Sequence, residues 1–299
     1  MPSQVPNHYG QQFASTVQLL LQQKGSVLMP GVTVGGGHKG EQASPVDQYA
    51  PIVADTVAQR YGPMPNTEPN NDRRWIVPID KHVNQLLDSF DMLRLLVDPK
   101  SRYVENARNA VGRSIDEEIL AKIFGTNQTG KSGTVATAFG TGQSVSVQQG
   151  AASPVNLTIA KLKHGKRLLR ANNVNFGEEQ IYCAVNAANH DSLMAEFEYI
   201  SGDFNGGKSP LANDTLESYL GVSFIHTELL TTGTDDQSGT STQTPLWCKS
   251  GVYLGMWDEM KTEISQRNDL TSIPWQAYLK ATFGASRLEE NKVVRIWNR

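Results

Sequence analysis

At 299 residues and 32.8 kDa the chain has length for one large or two modest domains with a sizeable core. A net charge of -3 and a pI near 6.1 exclude the strongly basic balance of a dedicated nucleic-acid binder, and two cysteines, Cys183 and Cys248, are too few for a disulfide framework or a zinc site. No run approaches the ~18 apolar residues of a membrane span, and the first thirty residues lack the basic start and apolar core of a secretory signal.

In chain order, Phe13 to Gln23 predicts a helix with Val17, Leu20 and Leu21 on one face. An isolated amphipathic helix needs a surface for its apolar stripe, and the nearest candidate is a neighbouring subunit. Gly31 to Gly40 holds five glycines in ten residues and reads as a linker rather than a regular element. Val53 to Tyr61 and Arg73 to Ile79 read as strands. Between them, Gly62 to Asn71 carries three prolines and three asparagines, which forbid helix and ladder pairing at the tip. Val83 to Val97 has helical spacing (Val83, Leu86, Leu87, Phe90, Leu93, Leu96), and Pro99 ends it. A longer helix follows from Tyr103 to Phe124, with Val104, Ala107, Val111, Ile115, Ile119, Leu120 and Ile123 at 3–4 spacing. Its length is roughly 30 Å at 1.5 Å per residue. Asp116-Glu117-Glu118 reads as its solvated face.

The central block Leu157 to Met194 has the clearest local signals. Thr158 can cap a helix in which Leu162, Gly165 and Leu169 share a face; Asn172-Asn173 stops it, and Gln180 to Val185 reads as a short buried strand. Asn186 then caps a second helix, Ala187 to Met194. Ser201 to Asn213 reads as a loop, Tyr219 to Ile225 as a strand, and Thr231 to Thr244, fourteen residues without one strongly apolar side chain, as an exposed loop. Val252 to Trp257, Lys261 to Arg267, Gln276 to Phe283 and Lys292 to Trp297 read as strands that close a sheet.

The order helix, "RANNV" break, strand and capped helix resembles the central domain of tailed-phage major capsid proteins of the HK97 fold. "GVYLGMWDEMKTEISQRND" followed by "LKATFGASRLEENKVVRIW" is similar to their C-terminal part. The likeness runs from about Val53 onward and rests on element order and phrase-like segments rather than on one invariant motif. It implies an α+β, HK97-like fold with an N-terminal arm (1–48), an extended β-hairpin loop (49–80), and a peripheral domain (81–150) built on a spine helix (103–124). A central axial domain (151–250) follows, and C-terminal strands (251–299) complete both domains.

The function so implied is assembly of an icosahedral shell around double-stranded DNA, without turnover, metal or cofactor. The partners implied are other copies in hexamers and pentamers, a portal, a separate scaffolding protein, decoration proteins and non-specifically held DNA. The place is the virion capsid, and the host cytoplasm during assembly. Pro63, Pro65, Pro69 and Asn70 would form the hairpin tip, lying over an adjacent subunit. Lys163, Lys166, Arg167 and Arg170, on one face of the helix after Thr158, would be solvated, pair with acids of a neighbour, or meet DNA phosphates.

Two rivals stand beside this reading. An encapsulin-type compartment uses the same fold around cargo enzymes. Gly125 to Ser132 (GTNQTGKS) matches the phosphate-binding P-loop pattern, in which backbone N–H groups and Lys131 hold phosphates and Ser132 holds magnesium. A P-loop follows a buried strand and opens a helix, whereas this one follows a helix and leads into Gly133 to Thr137 without helical period. It reads as a surface turn. The six histidines are scattered with no i, i+4 pair, and no Gly-x-Ser-x-Gly elbow is present.

Overall fold

The computed structural model describes residues 21–56, 62, 66–87, 100–196, 218–271 and 273–299. The long helix α1 spans Lys100–Phe124. Ala107, Val111, Ile115, Ile119, Leu120 and Ile123 are all buried, as the 3–4 spacing predicts. Their partners come from a four-stranded sheet ordered β1 (Thr33–Gly36), β13 (Val252–Gln266), β14 (Trp275–Arg287) and β4 (Ile79–Leu87). Leu279, Ala281, Phe283 and Ala285 alternate along β14 into the same core, with Val252 and Leu254 from β13. Full burial of each large aliphatic here contributes roughly 1.5–3 kcal/mol.

Three expectations fail in this layer. Residues 83–87 lie in a strand rather than a helix, paired with β14 from Ile79↔Phe283 to Leu87↔Trp275. The apolar positions fit helical spacing, yet Val83, Gln85 and Leu87 also alternate inward, and a nine-residue ladder overrides the weaker local preference. The remainder of that expected helix, 88–97, lies outside the described residues. The glycine-rich stretch is also regular in part. β1 pairs in parallel with β13, Gly35 leaves room for the Tyr253 hydroxyl, and Leu28 and Val32 just before it are buried in the main core. The two strand readings at Lys261 and Val252 merge into one long β13, interrupted by register shifts around Asp258.

A second sheet runs β7 (Ser144–Val145), β15 (Val293–Asn298), β12 (Thr240–Cys248), β8 (Ile181–Val185), β10 (Val222–His226) and β9 (Ser218–Tyr219), with β11 (Thr232–Thr234) also on β12. Alternation along β8 divides its side chains. Ile181, Cys183 and Val185 face helices α2 (Ile159–Ala171) and α3 (Ala187–Met194), whereas Ala184 joins the core under α1. Both caps form as predicted: Thr158 accepts from Lys161 N–H, and Asn186 from Asn189 N–H. Gly165 lets α2 sit close to this sheet, since a Cβ there would stand 2.8 Å from the Leu246 side chain.

One strand reading and one loop reading are corrected in this sheet. The strand expected over 219–225 is a hairpin, β9 and β10, turning at Leu220 and Gly221 with φ of 53° and 71°. Thr231 to Thr244 is another hairpin, β11 and β12, closed by Asp235, which accepts from Gln237 N–H at 2.9 Å and Gly239 N–H at 2.8 Å. Thr244 is fully buried and accepts from Asn298 Nδ2 at 2.6 Å and Asn189 Nδ2 at 3.1 Å. Within this polar run only Ser241 and Thr244 are buried, and the hydroxyls of both are paired, Ser241 donating to Asp235 Oδ2 at 2.5 Å.

Candidate assembly surfaces

The third sheet, β2 (Ala43–Tyr49), β3 (Asn71–Ile76), β5 (Asn127–Thr129) and β6 (Val135–Thr137), carries the long hairpin. Its paired strands are 43–49 and 71–76, not 53–61 and 73–79. Residues 51–56 are irregular, and 57–61 lie outside the described residues. Pro45 hid β2 from the sequence reading; it sits at the register shift between Ala43 and Val46, where a missing N–H is tolerated. Ladder pairing ends at Tyr49↔Asn71, and Ala50 N–H then donates to Asn70 C=O at 2.8 Å. Of the expected tip residues, Pro69 and Asn70 are irregular and exposed, and Pro63 and Pro65 lie outside the described residues. The apolar side chains of this arm point to solvent: Tyr49, Ile52 and Val53 are 69%, 62% and 80% exposed. An apolar group of that size on a slender hairpin has no core of its own to enter.

The hairpin is rigidly rooted. The Arg74 guanidinium makes two bonds to the Glu290 carboxylate, at 2.7 and 3.0 Å, and Gln48 Nε2 donates to Leu288 C=O at 2.7 Å. Glu290 also meets the fully buried Arg287 at 3.4 Å. Arg287 Nη1 donates to the Ile123 and Gly125 carbonyls at 2.7 and 3.1 Å, so a cation closes the C-terminal end of α1, where the helix dipole favours it. One carboxylate thus joins the hairpin root to the helix end. Little in the local sequence marks Arg74, Arg287 or Glu290, since Arg287 and Glu290 meet across three residues but Arg74–Glu290 and the bonds of Arg287 to the end of α1 span 160 residues or more.

The basic stretch of α2 separates into two roles. Lys161 is fully buried and donates to the carbonyls of Val155 and Trp297, both at 2.6 Å, and to Asn298 Oδ1 at 3.1 Å. Burial pulls its pKa down to about 8. It ties the start of α2 to the end of β15, and its place on the Leu162 side of the helix was the available signal. Lys163, Lys166, Arg167 and Arg170 lie on the outer side. Lys166 Nζ and the Arg170 guanidinium stand 4.9 and 5.1 Å from the Phe176 ring centre, and Lys166 also bonds Leu220 C=O. Arg167 Nη2 lies 2.7 Å from His164 Nε2, and burial and Arg167 together hold His164 below the ordinary imidazole range, so the ring accepts as a neutral partner. The stretch is a pre-shaped cationic ridge.

The P-loop-like segment is the hairpin β5–β6. Asp72 accepts from Gly130 N–H at 3.0 Å, and Trp75 Nε1 donates to Gly130 C=O at 2.7 Å. The turn is pinned to β3 and opens no helix, so it lacks the strand-to-helix geometry of phosphate cradles. Asp116 departs most from expectation. Far from solvated, it is fully buried and receives bonds from residues 23–28, and Glu118 beside it is mostly buried, its pKa raised by burial. Both cysteines are buried, and burial pushes Cys248 up to about 12 and Cys183 higher, which leaves them unreactive thiols. Among the described residues no group of His, Cys, Asp and Glu could hold a metal, and no helix is long and apolar enough to cross a membrane.

A family model described as phage capsid protein matches residues 5–299. No curated protein sequence matches. Among solved structures, the fold is similar to the capsid of cyanophage P-SCSP1u, at 16% identity and TM-score 0.75, covering 100% of this chain and 95% of that one. It is similar to the cyanophage Pam1 capsid at 11% identity and TM-score 0.76, covering 100% and 98%. It is also similar to the head of Helicobacter pylori bacteriophage KHP40, at 12% identity and TM-score 0.74, covering 100% and 98%. At these identities the likeness establishes the fold, the HK97-like arrangement expected from the central block.

Proposed function

The chain belongs to the phage capsid protein family, and on that premise we propose that its copies close into an icosahedral shell of hexamers and pentamers around double-stranded DNA. It is a major capsid shell protein with a structural role. The observation that carries this is a family match over residues 5–299 together with capsid-like folding along the whole chain. Neither the encapsulin-type compartment nor nucleotide binding by residues 125–132 gains support from the fold or the comparisons.

In the finer reading, the hairpin lies over an adjacent subunit, where Tyr49, Ile52 and Val53 find the apolar cover they lack in their own chain. The ridge Lys163, Lys166, Arg167 and Arg170 meets acidic groups of a neighbour or packaged phosphates, which a negatively charged lattice of subunits would otherwise repel. A portal and a separate scaffolding protein complete the assembly, decoration proteins bind its outside, and the subunits gather in the host cytoplasm. The parts are the arm (1–48), hairpin loop (49–80), peripheral domain (81–150), axial domain (151–250) and closing strands (251–299).

Negative-stain microscopy and sedimentation of the expressed chain, alone and with its phage's scaffolding protein, test the reading. Closed particles are expected, and a persistent monomer under both conditions overturns it. Substituting Tyr49→Ser, Ile52→Ser and Val53→Ser together should leave the subunit melting as wild type but block closure. Normal shells from that variant would remove the hairpin from the interface.

A further inference from the structure

A cavity of about 480 Å³ opens between the start of α2 and the end of α3, and Asn156, Ser192, Glu196 and Arg299 are among its lining residues. Its polar atoms are mainly acceptors without donors. Asn156 Oδ1 is buried and has no hydrogen-bond partner. The Ser192 hydroxyl gives its proton to Ala188 C=O at 2.9 Å, so its oxygen can only accept. Among the described residues the Glu196 carboxylate enters no hydrogen bond or ion pair. It stands two residues past the end of α3, where the helix dipole is negative. Arg299 lines the same cavity and is exposed, yet makes no ion pair with Glu196. A buried oxygen and a carboxylate left so call for a cationic donor.

The complementary group is carried by the same chain, out of reach of its own cavity. On the ridge of α2, Lys166 is engaged by Leu220 C=O and the Phe176 ring, and Arg170 by that ring as well. Arg167 is exposed, and among the described residues its contact is the neutral His164 ring at 2.7 Å, which leaves most of its five donors to water. It lies nine residues beyond Thr158, roughly 14 Å along the helix, too far for its side chain to turn back to the cavity. A guanidinium is a planar fork. It can meet a carboxylate with two parallel bonds and keep donors for an amide oxygen.

We propose that this cavity is a socket for the Arg167 guanidinium of a second copy, with Glu196 as counter-ion and Asn156 Oδ1 as a further acceptor. The inference rests on the assembly reading above and names the acid that the ridge meets. Socket and guanidinium occupy different places on the subunit. The contact is therefore head-to-tail and repeats from copy to copy, the kind that closes into rings.

Charge reversal tests the pair, read by sedimentation and microscopy as the yield of hexamers, pentamers and larger particles, with thermal melting of the unassembled chain as the folding control. Arg167→Glu and Glu196→Arg should each lower that yield about tenfold or more with melting unchanged, since like charges then face each other. Both substitutions in one chain should recover it. Mixing the two single variants should recover it too, because each supplies the charge that the other lacks. Arg299→Ala should assemble as wild type. Full yield from Arg167→Glu would leave the ridge to packaged phosphates and overturn the socket. Recovery in neither arm overturns it, as does recovery in the double variant alone, which places the pair within one chain. A loss with Arg299→Ala as deep as with Glu196→Arg would make Arg299 the occupant and overturn it as well. Should a reversal lower the melting point, Arg167→Gln and Glu196→Gln carry the test: the double loss should equal either single loss, and additive losses reject the pair. A wild-type chain that forms rings but no shells defeats the closed-shell reading and leaves the socket judged by the rings; one that forms neither defeats both.

Discussion

Residues 157–194 and residues 33–87 fold by different rules. In the central block both helices close on signals within a few residues: Thr158 and Asn186 cap them, and Leu162, Gly165 and Leu169 share one buried face. In the N-terminal region β2 and β3 pair with each other, but β1, β4 and the hairpin root wait for partners far away. β1 pairs with a strand more than two hundred residues on, β4 pairs with β14, and the hairpin root is held by Leu288 and Glu290. Local propensity therefore decides the first region, and tertiary contact overrides it in the second. The two regions meet on α1 and the sheet beneath it.

The sharpest way to break this contrast is at that meeting point. Ile115→Asp buries an unpaired carboxylate in the core shared by both regions and should cost several kcal/mol, giving insoluble or shell-incompetent protein. Soluble, assembling protein would mean that the shared core has been misplaced. Arg287→Ala comes next. It leaves the last carbonyls of α1 and the Glu290 carboxylate short of a buried partner, so a loss of about 3 kcal/mol is expected. Thermal melting checks the loss, and a variant within about 1 kcal/mol of wild type would show that the hairpin root does not depend on long-range ties.

Thr158→Ala should cost about 1 kcal/mol, confined to the start of α2, because its contribution is a local cap. Exchange that spreads from α2 into the hairpin would blur the distinction between regions. Glu118→Gln gives the smallest effect, within about 0.5 kcal/mol. Burial raises the folded pKa of Glu118 above its unfolded value, and Oε1 has no hydrogen-bond partner. The unfolded chain thus loses this proton first as pH rises, so the stability that Glu118 contributes at low pH fades as pH climbs through its folded value. Glu118→Gln should equal wild type at acid pH and exceed it at neutral pH in denaturant titrations. A variant less stable than wild type at pH 7 reverses the sign and shows that the charge is used.

Much of the architecture was legible because phase and caps are local properties. The buried stripe of α1, both capped helices and β8 follow from spacing alone. The failures have one physical origin each. Val83 to Leu87 satisfies two periods at once, and Pro45 disguises an edge strand. The polar run Thr231 to Thr244 hides a strand in which Ser241 and Thr244 are buried with their hydroxyls bonded. Asp116 was misread because an acidic triplet on a helix says nothing of a segment that folds over it from ninety residues upstream. The candidate surfaces were legible in the same measure: the spacing of Lys163, Lys166, Arg167 and Arg170 marked the outer ridge, whereas the burial of Lys161 and the exposed Tyr49, Ile52 and Val53 became evident only with the fold.

The parallel partnership of β1 with β13 bears on the order of synthesis. Leu28 and Val32 share their core with Val252, Leu254 and Val293, and Trp247 Nε1 donates to Gly31 C=O at 2.8 Å. A nascent chain that has not reached residue 252 cannot seat them, and through most of translation these early side chains have no permanent home. Such late-closing contacts slow folding and prolong exposure of sticky surface, the condition under which chaperones are recruited. A chain cut short before β13 lacks both the strand that β1 pairs with and the core partners of Leu28 and Val32.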